Sequence, residues 1–210
     1  MKKMIIKTIL AAGIAAFALP ASAKTELQWW HAMGGNLGET VNTIAENYNA
    51  SQDNYVIIPT YKGGYEDTMT AGIAAFRAKQ QPHILQVFDA GAATIINAPG
   101  ATIPVADLMQ EYGQGFNIED YIEGVRYFYA DSDGKMIGMP FNASTPLLYY
   151  NKEAFAKAGV ANPPATWEEF EAIAPKLKDA GYTALAQSHS PWILSENFHS
   201  RHNLQLATGN

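Results

Sequence analysis

Four short segments of this 210-residue chain set hydrogen-bonding side chains beside glycine or other small residues: His31-Ala32-Met33-Gly34-Gly35, Tyr61-Lys62-Gly63-Gly64-Tyr65-Glu66, Asp89-Ala90-Gly91 and Asn142-Ala143-Ser144-Thr145. Tyr65 and Ser144 offer hydroxyls, and Asp89 offers a carboxylate that, when ionised, only accepts. Trp192, in the run SPWILSENF, offers a flat apolar wall. Such a set suits the grip of a small polar solute. Covalent chemistry would need a nucleophile with its base, or a metal cluster. The chain has no Cys, no G-x-S-x-G and no H-E-x-x-H, so neither enzyme activity nor a cofactor is expected. His199 and His202 stand at i, i+3, but no third ligand accompanies them. Asp131-Ser132-Asp133-Gly134 looks like the start of a calcium loop and lacks the later ligands and the closing Glu. No metal site is expected.

Each candidate also has a structural use. Tyr65 could be a helix-start aromatic. Asp89 could cap the helix that follows it, and capping and ligand contact can hold together. Ser144 could bond backbone at a strand end, and Trp192 could belong to the core. For these four the ligand role is the favoured reading, or for Trp192 an even one. His31, beside Trp29 and Trp30, reads better as a satisfied rim or core histidine.

The elements that must position these residues alternate. Leu27 to His31 reads as a strand. Asn36 is expected to cap a helix carrying Leu37, Val41, Ile44, Ala45 and Tyr48 on one face. Tyr55 to Tyr61 is a β-rich run broken by Gly63-Gly64. Tyr65 to Ala78 is helical, with Met69, Ile73 and Phe76 on one face. Ile84 to Phe88 reads as a short buried strand of parallel type, followed by a helix over Ala90 to Ile96 that Pro99-Gly100 ends. Strand–helix alternation of this kind predicts an α/β sheet with crossover helices. In such a sheet ligands gather at the carboxyl ends of strands and at helix N-termini, where all four segments are expected to lie.

The second part is less regular. Val105 to Tyr112 and Glu119 to Tyr127 read as short helices, and Asp131 to Lys135 as a hairpin tip with Met136 to Met139 as the outgoing strand. Leu147 to Tyr150 reads as an extended apolar strand on which Tyr149 and Tyr150 take opposite faces. A helix opens at Asn151, and a Pro163-Pro164 turn follows. Thr166 with Glu169 forms a capping box for a helix to Ala180, with Trp167, Phe170, Ile173 and Leu177 inward and Gly181 as its stop. Thr183 to Ala186 is the next expected strand.

Residues 1–23 carry Lys2, Lys3 and Lys7, an apolar run from Ile9 to Leu19 and the small-x-small end Ala21-Ser22-Ala23. This is the pattern of a secretory signal peptide, and the run is shorter than the roughly 20 residues a membrane span needs. A periplasmic destination is expected. The formal net charge is −6, and removal of the lysine-bearing leader makes the remainder more acidic. Nucleic acid and anionic membrane surfaces are therefore poor partners.

The run PFNASTPLLYYNKEAFAKAGVANPPATWEEF resembles the lobe-crossing region of solute-binding proteins that serve ABC importers. WWHAMGGNLGE, PTYKGGYEDTMTAGIAAFRA, ILQVFDAGAATI and PFNASTPLLYYNKEAF together resemble the periplasmic glycerol-3-phosphate-binding branch of that family, from about Leu27 to Phe198. The resemblance implies a two-lobed class II periplasmic-binding-protein fold of α/β type. Lobe one would be 24–140, the lobe-crossing strand 141–150, and 151–210 the start of lobe two. Family members run to about twice this length, so lobe two is expected to be incomplete within this sequence.

The resemblance also implies roles. Tyr65 would give its hydroxyl to the ligand phosphate, and Ser144 would reach the same phosphate. Asp89, where a member of the family carries Glu, would accept from the glycerol hydroxyls. Its shorter side chain sets the carboxylate about 1.5 Å back, which leaves room for a larger head group or a bridging water. Trp192 would wall the pocket. His189 stands where the family often has a second aromatic. The charges suit this division: hydroxyls and a cationic partner hold a phosphate, whereas a carboxylate beside it would repel. The implied function is capture of sn-glycerol 3-phosphate or a glycerophosphodiester by a monomer, and delivery to inner-membrane ABC permease subunits with their cytoplasmic ATPase. An oligosaccharide or other sugar of the same importer class is the alternative ligand. The implied mechanism is hinge closure of two lobes around the solute.

Overall fold

The computed structural model describes residues 24–98, 100–113, 115–187 and 192–206. The signal-peptide pattern, Pro99 and His189 lie outside the described residues. The chain divides into two compact units, Met1–Ile95 and Ile96–Asn210, and the expected lobe-crossing strand lies within the second.

The first unit is built on a three-stranded parallel sheet. Strand β1 (Thr25–His31) is central, flanked by β2 (Tyr55–Tyr61) and β3 (Ile84–Leu85) in the order β2-β1-β3. The β1–β2 register runs from Thr25 opposite Tyr55 to His31 opposite Tyr61. Helices α1 (Gly35–Ser51) and α2 (Tyr65–Arg77) make the crossovers, and α3 (Asp89–Ile96) follows β3. Parallel strands need such crossovers because their ends lie at opposite edges of the sheet. Trp29, Met33 and Val41 form the buried core, with Ala32 and Ile57 packed against it.

Three expectations for this unit are corrected. The residue preceding α1 is Gly34, and Asn36 falls inside the first turn. Only Val41 and Ala45 of the expected α1 face are buried, while Leu37, Ile44 and Tyr48 stay exposed. An i, i+4 pair is enough to cover so narrow a sheet, and the residues flanking that stripe overhang it. The expected strand over Ile84–Phe88 is only Ile84–Leu85, because its ladder partners on β1 are Trp29 and Trp30 alone. On α2 the deeply buried positions are Thr68 and Gly72. A Cβ on Gly72 would sit 2.6 Å from Leu85 Cδ2, so the helix lies close against β3 there.

The second unit is mostly helical. It holds α4 (Val105–Tyr112), a 3₁₀ turn at Ile118–Asp120, α5 (Glu123–Arg126), α6 (Lys152–Lys157), α7 (Trp167–Asp179), a π-helical turn at Trp192–Glu196 and α8 (Asn197–Arg201). Its buried cluster is Ala154, Phe155, Val160 and Leu177, with Ile173 and Tyr182 against it. Local signals act here as the sequence implies. Asn151 Oδ1 accepts the N–H groups of Glu153 and Ala154, at 2.9 and 3.1 Å. Thr166 Oγ1 accepts the Glu169 N–H at 3.2 Å, and Glu169 Oε2 reaches back to the Ala165 N–H at 2.7 Å. These bonds satisfy donors that an uncapped helix leaves open. Gly181, at φ +89°, stops α7.

Four further expectations are corrected in this unit. The helix expected over Glu119–Tyr127 breaks into the 3₁₀ turn and α5. Met136–Met139 makes a single bridge, Ala130 to Met136, instead of a strand. Leu147–Tyr150 and Thr183–Ala186 are extended or irregular and carry no ladder. A strand is defined by its partner, and among the described residues no segment pairs with either run. Of the two tyrosines, Tyr149 is 88% exposed, whereas Tyr150 packs its ring 5.0 Å from that of Phe155.

Candidate functional site

The carboxyl ends of the three strands in the first unit form one rim. Three hydrogen bonds knit it: Lys62 N–H to His31 O at 3.0 Å, Gln86 N–H to Trp30 O at 2.9 Å, and Ala32 N–H to Gln86 Oε1 at 2.8 Å. His31 is buried between the rings of Trp29 and Tyr61, at 6.0 and 6.1 Å. The Met33 N–H donates to its Nδ1 at 3.3 Å, a bond that requires that nitrogen unprotonated. Burial pushes the His31 pKa below its usual 6.5. It is a core histidine, as its setting in the sequence suggests.

The turn Lys62-Gly63-Gly64 then delivers Tyr65. Gly63 takes φ +99°, and a Cβ there would lie 2.7 Å from Asp67 Oδ2, so only glycine fits. Asp67 Oδ2 in turn accepts the Gly64 N–H at 3.1 Å, which fixes the start of α2. Lys62 lays its ammonium 3.9 Å over the Trp30 ring, a cation–π contact. Tyr65 opens α2 with its ring stacked on Phe88, 5.6 Å between centroids and 19° between planes. Asp89 follows Phe88 directly and opens α3, its Oδ1 accepting the Ala90 N–H at 2.8 Å. The structure thus brings Tyr65 and Asp89 to one rim through Phe88. Asp89 is the first residue inside α3, and its carboxylate bonds the adjacent Ala90 N–H and not the N2 or N3 donor that a cap would meet, so the expected cap is corrected.

The other two candidates belong to the second unit. Ser144 is exposed on the ladder-free segment 141–150. Trp192 is half-buried at the start of the π-helical turn, and its carbonyl accepts from the Asn197 side-chain amide. In the same unit Arg126 is buried, with its guanidinium 2.6 Å from Glu119 Oε2. Its bond to that carboxylate holds the arginine firmly charged. Asp131, foremost of the calcium-like run, spends Oδ1 on the N–H groups of Asp133 and Lys135. Among the described residues no group of three or more His, Cys, Asp or Glu side chains could hold a metal ion.

Two features of the rim escaped the sequence reading: the Phe88 stack and the Lys62–Trp30 contact. Both join residues on separate elements. The only sequence signal for them was the presence of a ring at or near each strand end.

The description "bacterial extracellular solute-binding protein" matches residues 43–206. The chain belongs to that family. It is 44% identical to the sn-glycerol-3-phosphate-binding periplasmic protein UgpB of Rhizobium meliloti, over 99% of its own length and 49% of that protein. It therefore spans about half the length of the curated relatives it matches. Among solved structures, UgpB from Mycobacterium tuberculosis in complex with glycerophosphocholine superposes with a TM-score of 0.64. That match has 20% identity and covers 75% of this chain and 41% of the other. The cyclic alpha-maltosyl-1,6-maltose binding protein of Arthrobacter globiformis gives a TM-score of 0.57 at 23% identity, over 75% of this chain and 39% of the other. These two likenesses establish the fold: it is the α/β fold of solute-binding proteins, partly covered.

Proposed function

We propose that this chain is part of the periplasmic solute-binding component of an ABC importer, one that captures sn-glycerol 3-phosphate or a glycerophosphodiester. The observation that carries the reading is the 44% identity to UgpB across nearly the whole chain. The rim supports it. A hydroxyl donor, Tyr65, stacks on Phe88, and an acceptor, Asp89, follows Phe88 directly, at the carboxyl edge of a parallel sheet, where solutes bind in open α/β lobes. Tyr65 and Ser144 take the phosphate, Asp89 accepts from the glycerol hydroxyls, and Trp192 walls the pocket.

Residues 24–140 act as lobe one, 141–150 as the crossing, and 151–210 as the beginning of lobe two. The leader at 1–23 directs export to the periplasm. The protein acts as a monomer and a binder without catalytic activity. Solute selects the closed arrangement of two lobes, and that form docks on the permease subunits and their ATPase.

The test is isothermal titration of glycerol 3-phosphate, glycerophosphocholine and maltose into the polypeptide of the full reading frame. Binding of either phosphate ester, weakened in Asp89→Ala and Ser144→Ala, is the expected result. Binding of maltose alone would move the protein to the sugar-binding branch and remove these residue roles.

A further inference from the structure

We propose that Phe88 is a positioning residue for the solute-binding hydroxyl of Tyr65, and that the wedge Phe88–Gly91–Met69 sets how tightly a phosphate ester is held. The inference rests on the ligand role proposed for Tyr65. Tyr65 is 38% exposed, so the rest of the fold encloses its ring only in part. One contact of its ring is the near-parallel stack on Phe88, 19° between planes. Phe88 is itself tightly packed against Gly91. A Cβ on Gly91 would lie 2.5 Å from Met69 Sδ and 2.8 Å from Phe88 Cε1. The α3 backbone, a thioether from α2 and the Phe88 ring therefore meet with no room for one methyl group. The Gly91 N–H also donates to the Phe88 carbonyl at 3.1 Å, which closes the turn that carries Phe88 and Asp89.

The consequence is mechanical. A phenol hydroxyl lies at the far end of its ring, so a small rotation of an unsupported ring moves the oxygen by a large fraction of a hydrogen-bond length. A ring stacked on a wedged partner keeps the oxygen where a phosphate oxygen can accept from it. A short hydrogen bond to a charged group gains most from such fixation. The same segment carries Asp89, so one packed turn places the donor for one end of the solute and the acceptor for the other.

The experiment is titration of glycerol 3-phosphate into the polypeptide of the full reading frame, as wild type, Tyr65→Phe, Phe88→Leu, the double variant and Phe88→Tyr, with thermal unfolding of each. Tyr65→Phe should weaken binding by roughly 10- to 100-fold, the loss of a hydrogen bond to a charged acceptor. Phe88→Leu keeps bulk and removes the stack, and should weaken binding by about fivefold. In the Tyr65→Phe background, which has no hydroxyl to position, Phe88→Leu should change affinity little. Phe88→Tyr should bind as wild type does. Effects that multiply independently, or a Phe88→Leu protein that melts earlier yet binds normally, would overturn the positioning role and leave the Tyr65 reading standing. A wild type that binds no phosphate ester would overturn both. Normal binding by Tyr65→Phe would remove the hydroxyl and with it the inference.

Discussion

The rim of the first unit and the segment 141–150 of the second carry similar residues in opposite conditions. Both are rich in aromatic and apolar side chains, and both hold candidate ligand groups. On the rim the strands are paired: β1 pairs with β2 and β3, and Lys62 and Gln86, just after those strands, bond back to β1. Along 141–150 there is no ladder, and Leu147, Leu148 and Tyr149 are 69%, 52% and 88% exposed. Composition is thus not what orders a strand. Pairing is: backbone donors and acceptors must be met by another segment before alternating side chains acquire a face.

Amide hydrogen exchange on the 210-residue chain is the largest test of this contrast. Amides of β1 should exchange at least about a thousandfold slower than those of 147–150, since ladder amides open only with much of the unit and unpaired ones open freely. Comparable rates in the two segments would break the comparison outright.

That contrast also explains what the sequence revealed and what it hid. The helix start at Asn151, the cap at Thr166 and the stop at Gly181 were legible because each is decided by atoms within about one helical turn. The bounds of α4, Val105–Tyr112, were legible for the same reason. The strands at Leu147–Tyr150 and Thr183–Ala186 were read from β-branched, aromatic and apolar content, which says what fits a sheet and nothing about whether a neighbour is present. The exposure of Leu37 and Ile44 on α1 was hidden because the width of the sheet beneath a helix is not written in the helix. In the candidate site, Tyr65 and Asp89 could be placed at strand-end turns from Gly63-Gly64 and from the apolar run before Asp89. Phe88 could not, because a stack between α2 and the start of α3 is a matter of tertiary approach.

Close backbone approach sharpens the comparison at single residues. Gly72→Ala puts a methyl group into Leu85 Cδ2, an overpacking change of about 1–3 kcal/mol that the helix gain of Ala over Gly, about 1 kcal/mol, offsets in part, so the first unit should lose up to about 2 kcal/mol. Gly124→Ala, in α5 of the second unit, meets nothing within 4 Å. It should be neutral or stabilising by less than about 1 kcal/mol. Urea unfolding of the two variants beside wild type measures the difference, and equal effects would mean that the first unit is no more tightly packed than the second.

A smaller loss is expected where order is local. Thr166→Ala removes the acceptor for the Glu169 N–H and should destabilise α7 by about 1 kcal/mol. Thr166→Ser should retain most of it. Because this cap belongs to the second unit, hydrogen exchange should show the change in α7 while β1 protection stays as it was. A fall in β1 protection would show that the two regions unfold together.

The last test is the smallest and belongs to the rim. Burial holds His31 below its usual pKa of 6.5, so the folded protein resists protonating it while the unfolded chain does not. Below 6.5 the unfolded state binds more protons, and stability rises with pH wherever that holds. The contribution of a neutral His31 is therefore complete above about pH 6.5 and is lost as pH falls below it toward the lower, folded value. The chain has five histidines, so the measurement isolates His31 as a difference: thermal midpoints of wild type and His31→Gln from pH 8 to pH 5. Wild type should lose more stability on acidification than the variant. Parallel curves would mean that His31 takes up a proton in place, with Trp29 and Tyr61 moving aside, and the rim would then be as yielding as the segment with which it is contrasted.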